Sequence, residues 1–422
     1  MNTKLKQSVG LPGALVIGLG SILGTGVYVS VGLSYQLAQG AILTAIVLAA
    51  LVAIFNGLSA AQLAASHPVS GGTYEYGYHF LSPQLGFVAG TLFVVAKSAS
   101  AATAALAVGW ALTTWLSLGG WSAKLIACGL LVAISCLILQ GVKRSNWLNA
   151  LLVAVSLAGL GVFVWAGFTA SSSAGLSTLA DISLPTFSLT SAGLAEGAAL
   201  MFVAFTGYGR IATMGEEVKQ PARTIPKAVI ITLGTTAVLY LLVGTALLQL
   251  APPMTIDPGN FNLSQVVNGM LARQIIALCA VGAMAGVVLN LVLGVSRVVL
   301  AMGRRGDLPA VAGQLNSSQD SAPPATWLTC IVMALIVLLA DIEKAWTLSA
   351  FTVLVYYGIT NLAALKVPAG QRFIPYWVSI IGLISCLGLS LFVPTLLLTT
   401  GFLAILILYI GHKLATRHRL IK

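Results

Sequence analysis

Val16-Ile17-Gly18-Leu19-Gly20-Ser21-Ile22-Leu23-Gly24-Thr25-Gly26-Val27-Tyr28-Val29-Ser30-Val31-Gly32 is an uncharged stretch with Gly18, Gly20, Gly24 and Gly26 crowded into its middle. About 20 mostly apolar residues suffice for a helix to cross a bilayer. Glycines at mid-depth weaken such a helix, and loose backbone is tolerated there only where it lines a protein cavity. The stretch therefore predicts a membrane helix broken near the centre of the bilayer. Met201-Phe202-Val203-Ala204-Phe205-Thr206-Gly207-Tyr208-Gly209-Arg210 predicts the same of a second helix.

The rest of the chain agrees with a lipid setting. Its 422 residues are 58% hydrophobic and only 7% charged, whereas a soluble domain carries about 25% charged residues. The 21 Lys and Arg against 10 Asp and Glu sit mostly in short gaps between apolar runs, which is a topology signal and not a nucleic-acid footprint. Cys128, Cys136, Cys279, Cys330 and Cys386 lie in apolar stretches without metal or redox spacing and read as packing residues. Lys4 and Lys6 precede an apolar run with no small-residue cleavage site after it, so the run reads as an uncleaved first span.

Apolar runs between polar breaks give twelve expected spans, at 10-35, 40-65, 85-116, 123-141, 147-169, 193-215, 227-250, 276-303, 326-341, 346-366, 373-393 and 395-412. Lys and Arg favour cytoplasmic loops. With the N-terminus inside, only Lys124, Arg273 and Lys344 fall in outer loops, while Lys143, Arg144, Lys219, Arg223, Arg304, Arg305 and Arg372 fall inside. Both termini are thus expected in the cytoplasm, in a cell (plasma or inner) membrane. The tail 413-422 is basic and suits anionic lipid headgroups. The polar gaps near 170-192 and 251-273 are too short for a soluble domain.

The two glycine clusters open successive five-span blocks, 1-169 and 193-366, with 373-412 as two additional spans. Five is odd, so the second block enters from the opposite side, which is the arithmetic of an inverted repeat. Opposed half-helix ends offer N–H groups to a carboxylate and carbonyls to an ammonium, which together suit a zwitterion.

The residues at this point resemble the amino acid-polyamine-organocation superfamily of permeases. Ile22-Leu23-Gly24-Thr25-Gly26-Val27-Tyr28 is similar to the first-span Gly-Ser-Gly motif, with Thr25 where Ser is common. Pro68-Val69-Ser70-Gly71-Gly72-Thr73-Tyr74-Glu75-Tyr76 resembles the signature after span two, and Gly207-Tyr208-Gly209 through Gly215-Glu216-Glu217 to Ile225-Pro226-Lys227-Ala228 resembles the exit of span six. Ser296-Arg297 with Ala301-Met302-Gly303-Arg304-Arg305-Gly306-Asp307-Leu308-Pro309 resembles the loop after span eight, and Tyr356-Tyr357-Gly358-Ile359-Thr360-Asn361 the tenth span.

The resemblance implies an all-α, LeuT-type fold of twelve transmembrane helices and amino-acid transport by alternating access. It implies that the backbone of Gly24, Thr25 and Gly26 receives the substrate carboxylate, that carbonyls near Phe202, Val203 and Phe205 receive the ammonium, and that Phe202 is a candidate lid. Thr206 and Tyr208 are candidate polar contacts, and the absence of a carboxylate across the sixth-span break points to a small neutral side chain. Some family members carry a lysine in span five; the corresponding position here is Ser156, and Lys97, midway along span three, is the candidate for supplying that charge. A lysine at membrane depth costs about 2.5 to 3.5 kcal/mol on insertion scales and usually marks a substrate or ion path. Gly282-Ala283-Met284-Ala285-Gly286-Val287 in span eight has no hydroxyl for a sodium site of the family's type, so proton coupling or exchange is expected.

Arg210 with Glu216 is a candidate gate pair, whereas Glu217, His67 and His79 read as solvated loop groups. Glu196 favours the start of span six by its helix N-terminus, and Asn262-Leu263-Ser264 matches a short glycosylation acceptor pattern. No paired carboxylate, metal cluster or nucleophile-base set lies at membrane depth, which excludes an enzyme, and no cofactor is expected. The rival readings are a carrier of another small amine or organic cation and a non-transporting amino-acid sensor. The partners expected are an amino acid, protons and membrane lipids, with no nucleic acid; the sequence leaves the oligomeric state open.

Overall fold

The computed structural model describes residues 7–140, 142–173, 192–250, 263–318 and 321–421, all of whose regular elements are helical. Asn262 and the basic residues Lys4, Lys6 and Lys422 lie outside the described residues.

Span one is α1 (Leu11–Gly20), a turn, a π-helical turn over Gly26–Ser30, and α2 (Val31–Ala38). Span two is α3 (Ile42–Ser66). The chain then turns at Gly71 and Gly72, whose φ of 116° and 57° suit glycine, into a short helix α4 (Thr73–Phe80) that the hydropathy pattern had not predicted. Spans three to five are α5 (Pro83–Trp115), α6 (Gly120–Leu139) and α7 (Val142–Ser173). Pro83 opens α5 and the Ser82 hydroxyl caps it by accepting from the Leu85 N–H at 3.2 Å.

Span six repeats the interruption of span one: α8 (Ala192–Phe205) gives way to a 3₁₀ turn over Thr206–Tyr208 and then to α9 (Gly209–Ala212). Both breaks are changes of helical winding and not extended segments, since Thr25 and Phe205 keep right-handed helical backbone angles. The remaining spans are α10 (Pro221–Leu250), α11 (Met270–Arg305), α12 (Pro323–Leu339), α13 (Ile342–Leu365), α14 (Tyr376–Ser390) and α15 (Thr395–Ile421). Pro226 sits in the second turn of α10 without ending it, so that helix starts earlier than the expected 227.

Eight helical stretches among the described residues are long and apolar enough to cross a membrane, and α1, α12 and α14 are shorter apolar helices. Counted with spans one and six each broken in two, the described helices follow one another in the order of the twelve expected spans. The broken spans pack inside a shell in which α10 lies on α3, α11 on α5 and α7, and α13 on α5 and α14. The most apolar window of α15 is only 6% buried, against 83% for α5, so the last helix is peripheral.

Contacts place the two ends of the described chain on one side of the bundle. The N–H groups of Ser8 and Val9 both donate to Glu217 O at 3.0 Å, and the Lys219 N–H donates to Val9 O at 2.8 Å. Glu217 pairs with Arg297 near the end of α11, and beyond that helix Asp307 meets His412 of α15 at 3.1 Å.

Candidate functional site

The two breaks lie against each other because glycine lets them. A Cβ on Gly207 would sit 2.6 Å from Ser21 O and one on Gly26 3.0 Å from Ala204 O, while one on Gly24 would sit 2.6 Å from Ala283 O of α11. Tyr240 of α10 bridges the pair, its hydroxyl lying 3.1 Å from Ile22 O and 3.2 Å from Ala204 O. The Ser30 hydroxyl donates to Leu200 O at 2.8 Å and the Ser34 hydroxyl to Gly197 O at 2.9 Å, which stitches the second half of span one to the first half of span six. Ser156, on α7, donates to Leu23 O at 2.7 Å, and Tyr28 donates to Ser156 O at 3.2 Å.

A small cavity of about 10 Å³ opens between the breaks, room for on the order of one water. Among the expected residues, Thr25, Gly26, Lys97, Val203 and Thr206 line it. Ser21, Ser100, Val287, Leu291 and Trp346 also line it and escaped the sequence reading. Ser100 could have been found, since it follows Lys97 by three residues and so shares its helix face. Trp346 and Leu291 carry no local signal. The Thr25 hydroxyl is buried without a hydrogen-bond partner.

Phe202, Phe205 and Tyr208 do not line the cavity. Phe202 packs edge-on to Tyr357 at 5.8 Å, Phe205 on Tyr240 at 4.9 Å, and Tyr208 lies 5.3 Å from the Tyr357 ring. On a helix only one face can meet the cavity, and here Val203, Ala204, Thr206 and Gly207 form it.

Lys97 is 3% exposed, so its ammonium does not reach an interface. It donates to Thr206 Oγ1 at 2.7 Å and to Thr206 O at 3.1 Å, while the Thr206 hydroxyl donates to Val203 O at 2.7 Å. Tyr357 donates to the same Thr206 carbonyl at 3.3 Å. The lysine thus ties span three to the carbonyl end of α8, where the helix dipole favours a cation. Among the described residues no carboxylate pairs with it.

The expected gate pair is not formed. Glu216 faces Arg304 at 3.2 Å, and Arg210, 3% exposed, donates from Nη1 to Thr213 Oγ1 at 3.2 Å. Glu217, read from sequence as solvated, is instead 3% exposed and accepts from Arg297 Nε at 2.7 Å. Burial pushes its carboxyl up, but the Arg297 and Arg210 guanidiniums outweigh that and hold it below the usual carboxylate range. Glu75 pairs with Arg305 on the same side of the bundle. His79 is exposed and His67 half-buried, and their rings stack at 4.2 Å. Among the described residues no cluster of His, Cys, Asp or Glu is large enough to hold a metal ion.

Residues 9–419 match the family model described as amino acid permease. An uncharacterised transporter of Mycobacterium tuberculosis is 36% identical over 394 residues, covering 93% of this chain and 87% of that one. The branched-chain amino acid permease BcaP of Bacillus subtilis is 26% identical over 379 residues, covering 83% and 80%. The crystal structure of MhsT in complex with L-phenylalanine superposes with a TM-score of 0.64 at 15% identity, covering 92% of this chain and 99% of that one, and shares its fold.

Proposed function

Because the chain belongs to the amino acid permease family, we propose that it carries a small neutral amino acid across a cell membrane by alternating access, driven by protons or by exchange. The carrying observation is the cavity between the two helix breaks, which joins Thr25 and Gly26 of span one to Val203 and Thr206 of span six. The carboxylate of the substrate would meet span one at Gly24, Thr25 and Gly26, and its ammonium the carbonyl end of α8.

Lys97 supports the neutral reading. A cationic side chain would enter a site that already holds an ammonium and no paired carboxylate, and like charges at such depth cost several kcal/mol. The same lysine is the candidate proton carrier: with its charge it holds Thr206, and without it the carbonyl of Thr206 is released toward the substrate. The side of the bundle bearing both chain ends would face the cytoplasm, by the excess of Lys and Arg in its loops.

Uptake of labelled amino acids into proteoliposomes tests this, with and without a proton gradient, sodium or internal unlabelled substrate. A neutral amino acid crossing with the proton gradient or by exchange is the expected result. Binding without movement would favour a sensor, and movement of a cationic amine alone would overturn the substrate class.

A further inference from the structure

We propose that Arg210 forms a second station for the substrate's carboxylate, on the path between the central cavity and the side of the bundle that bears the chain ends. This rests on the amino-acid reading above. The guanidinium is buried, and its Nε has no hydrogen-bond partner. Its hydrogen bond from Nη1 goes to a neutral hydroxyl, that of Thr213. The nearest acid in charge terms, Glu217, is committed to Arg297 at 2.7 Å. Among the described residues, the buried Arg210 and Arg297 guanidiniums face one buried carboxylate, that of Glu217. Buried charges are ordinarily paired, because the cost of taking them out of water is otherwise not offset.

Position makes the missing anion a passing one. Gly207 lines the cavity, and Arg210 lies three residues further along the same span, about 4.5 Å by helical rise. Gly294 of α11 leaves room for its stem, since a Cβ there would sit 2.9 Å from Arg210 Cδ. Arg297 follows Gly294 by one turn, so α9 and α11 present both guanidiniums just beyond the cavity. An Nε edge without a partner is the edge that takes a carboxylate in the two-pronged Arg geometry. When the first half of span one moves away from α9, a carboxylate released from Gly24 to Gly26 would meet that edge next.

The test is transport into oriented proteoliposomes, measured from each face. In Arg210→Gln, KM at the face bearing the chain ends rises about tenfold, the loss of one charged hydrogen bond, and KM at the opposite face changes less than about twofold. Arg210→Lys, which keeps the charge and loses the fork, restores part of the difference. An equal change at both faces, or none, overturns the station. Should wild-type protein move no amino acid, the amino-acid reading itself fails. The station is then judged by thermal unfolding with propionate: a propionate-dependent rise in Tm that Arg210→Gln loses upholds it, and an identical rise in both proteins overturns it.

Discussion

Lys97 and Gly26 carry the sharpest expectations at the scale of single residues. Lys97→Met keeps the length of the side chain and removes the donor to Thr206, whose carbonyl then loses the shorter-range cation that fixes it. Proton-driven uptake should fall by about tenfold or more, equivalent to at least about 1.4 kcal/mol, and its pH dependence should flatten. Uptake and pH profile identical to wild type would remove Lys97 from the mechanism. Gly26→Val places a branched side chain where the Tyr240 hydroxyl and Ala204 O already stand. Overpacking of that kind costs roughly 1 to 3 kcal/mol. The variant should fold with a lowered Tm yet show no saturable uptake, because the two breaks can no longer close on one another. Neither residue needed the structure to be noticed. The contacts they make did, since Thr206 lies 109 positions from Lys97 and the Tyr240 hydroxyl that crowds Gly26 comes from α10.

Between elements, polar side chains do what the hydrophobic effect cannot do in lipid. Asn361 of α13 donates to Asn56 Oδ1 of α3 at 2.6 Å, and the Cys386 thiol of α14 donates to the same oxygen at 3.2 Å. Ser59 and Ser379 meet 2.9 Å apart on the neighbouring turn. Three helices are joined by this seam. Asn56→Ala should therefore lower stability by about 0.6 to 1.7 kcal/mol, read as a drop in Tm of the detergent-solubilised protein, with a smaller effect on KM than either cavity substitution has. Small residues matter at the same scale: a Cβ on Gly109 of α5 would press on the Ala123 carbonyl of α6. The hydropathy pattern located these helices to within a few residues, because lipid imposes length and apolarity on each of them. It missed α4, whose eight residues are too few to span a bilayer.

Over the whole molecule, the side bearing the chain ends carries ion pairs of different depth. Glu217 with Arg297 is buried, whereas the Arg304 side chain facing Glu216 is 30% exposed. Removing Arg297 takes from Glu217 a charged hydrogen bond worth about 1.5 to 3 kcal/mol and leaves Arg210 as its remaining counter-charge; an exposed pair is worth about 0 to 1 kcal/mol. Arg297→Met should accordingly destabilise the protein more than Arg304→Met, and equal Tm values for the two variants would contradict this ranking of the two pairs. The Glu217 carboxyl is held below its ordinary value of 4.5. Its contribution is thus fully present above that value and is lost as pH falls through the lowered one. Wild-type Tm should decline over that acid range more steeply than the Tm of Glu217→Gln.

Composition and glycine placement by themselves determined that this chain is a broken-helix membrane bundle, because a hydrocarbon solvent constrains each span separately and leaves its mark locally in the sequence. The order of the quoted motifs carried the family, and the family carried the expectation of a binding site at the breaks. Only the tertiary structure decided which side chains share that site. Leu291 and Trp346 come to the cavity from other helices, Phe202 turns away to Tyr357, and Glu217 finds Arg297 in place of water. A side chain's direction depends on how its helix is rotated against its neighbours, and in a helix apolar on nearly every face no sequence period records that rotation.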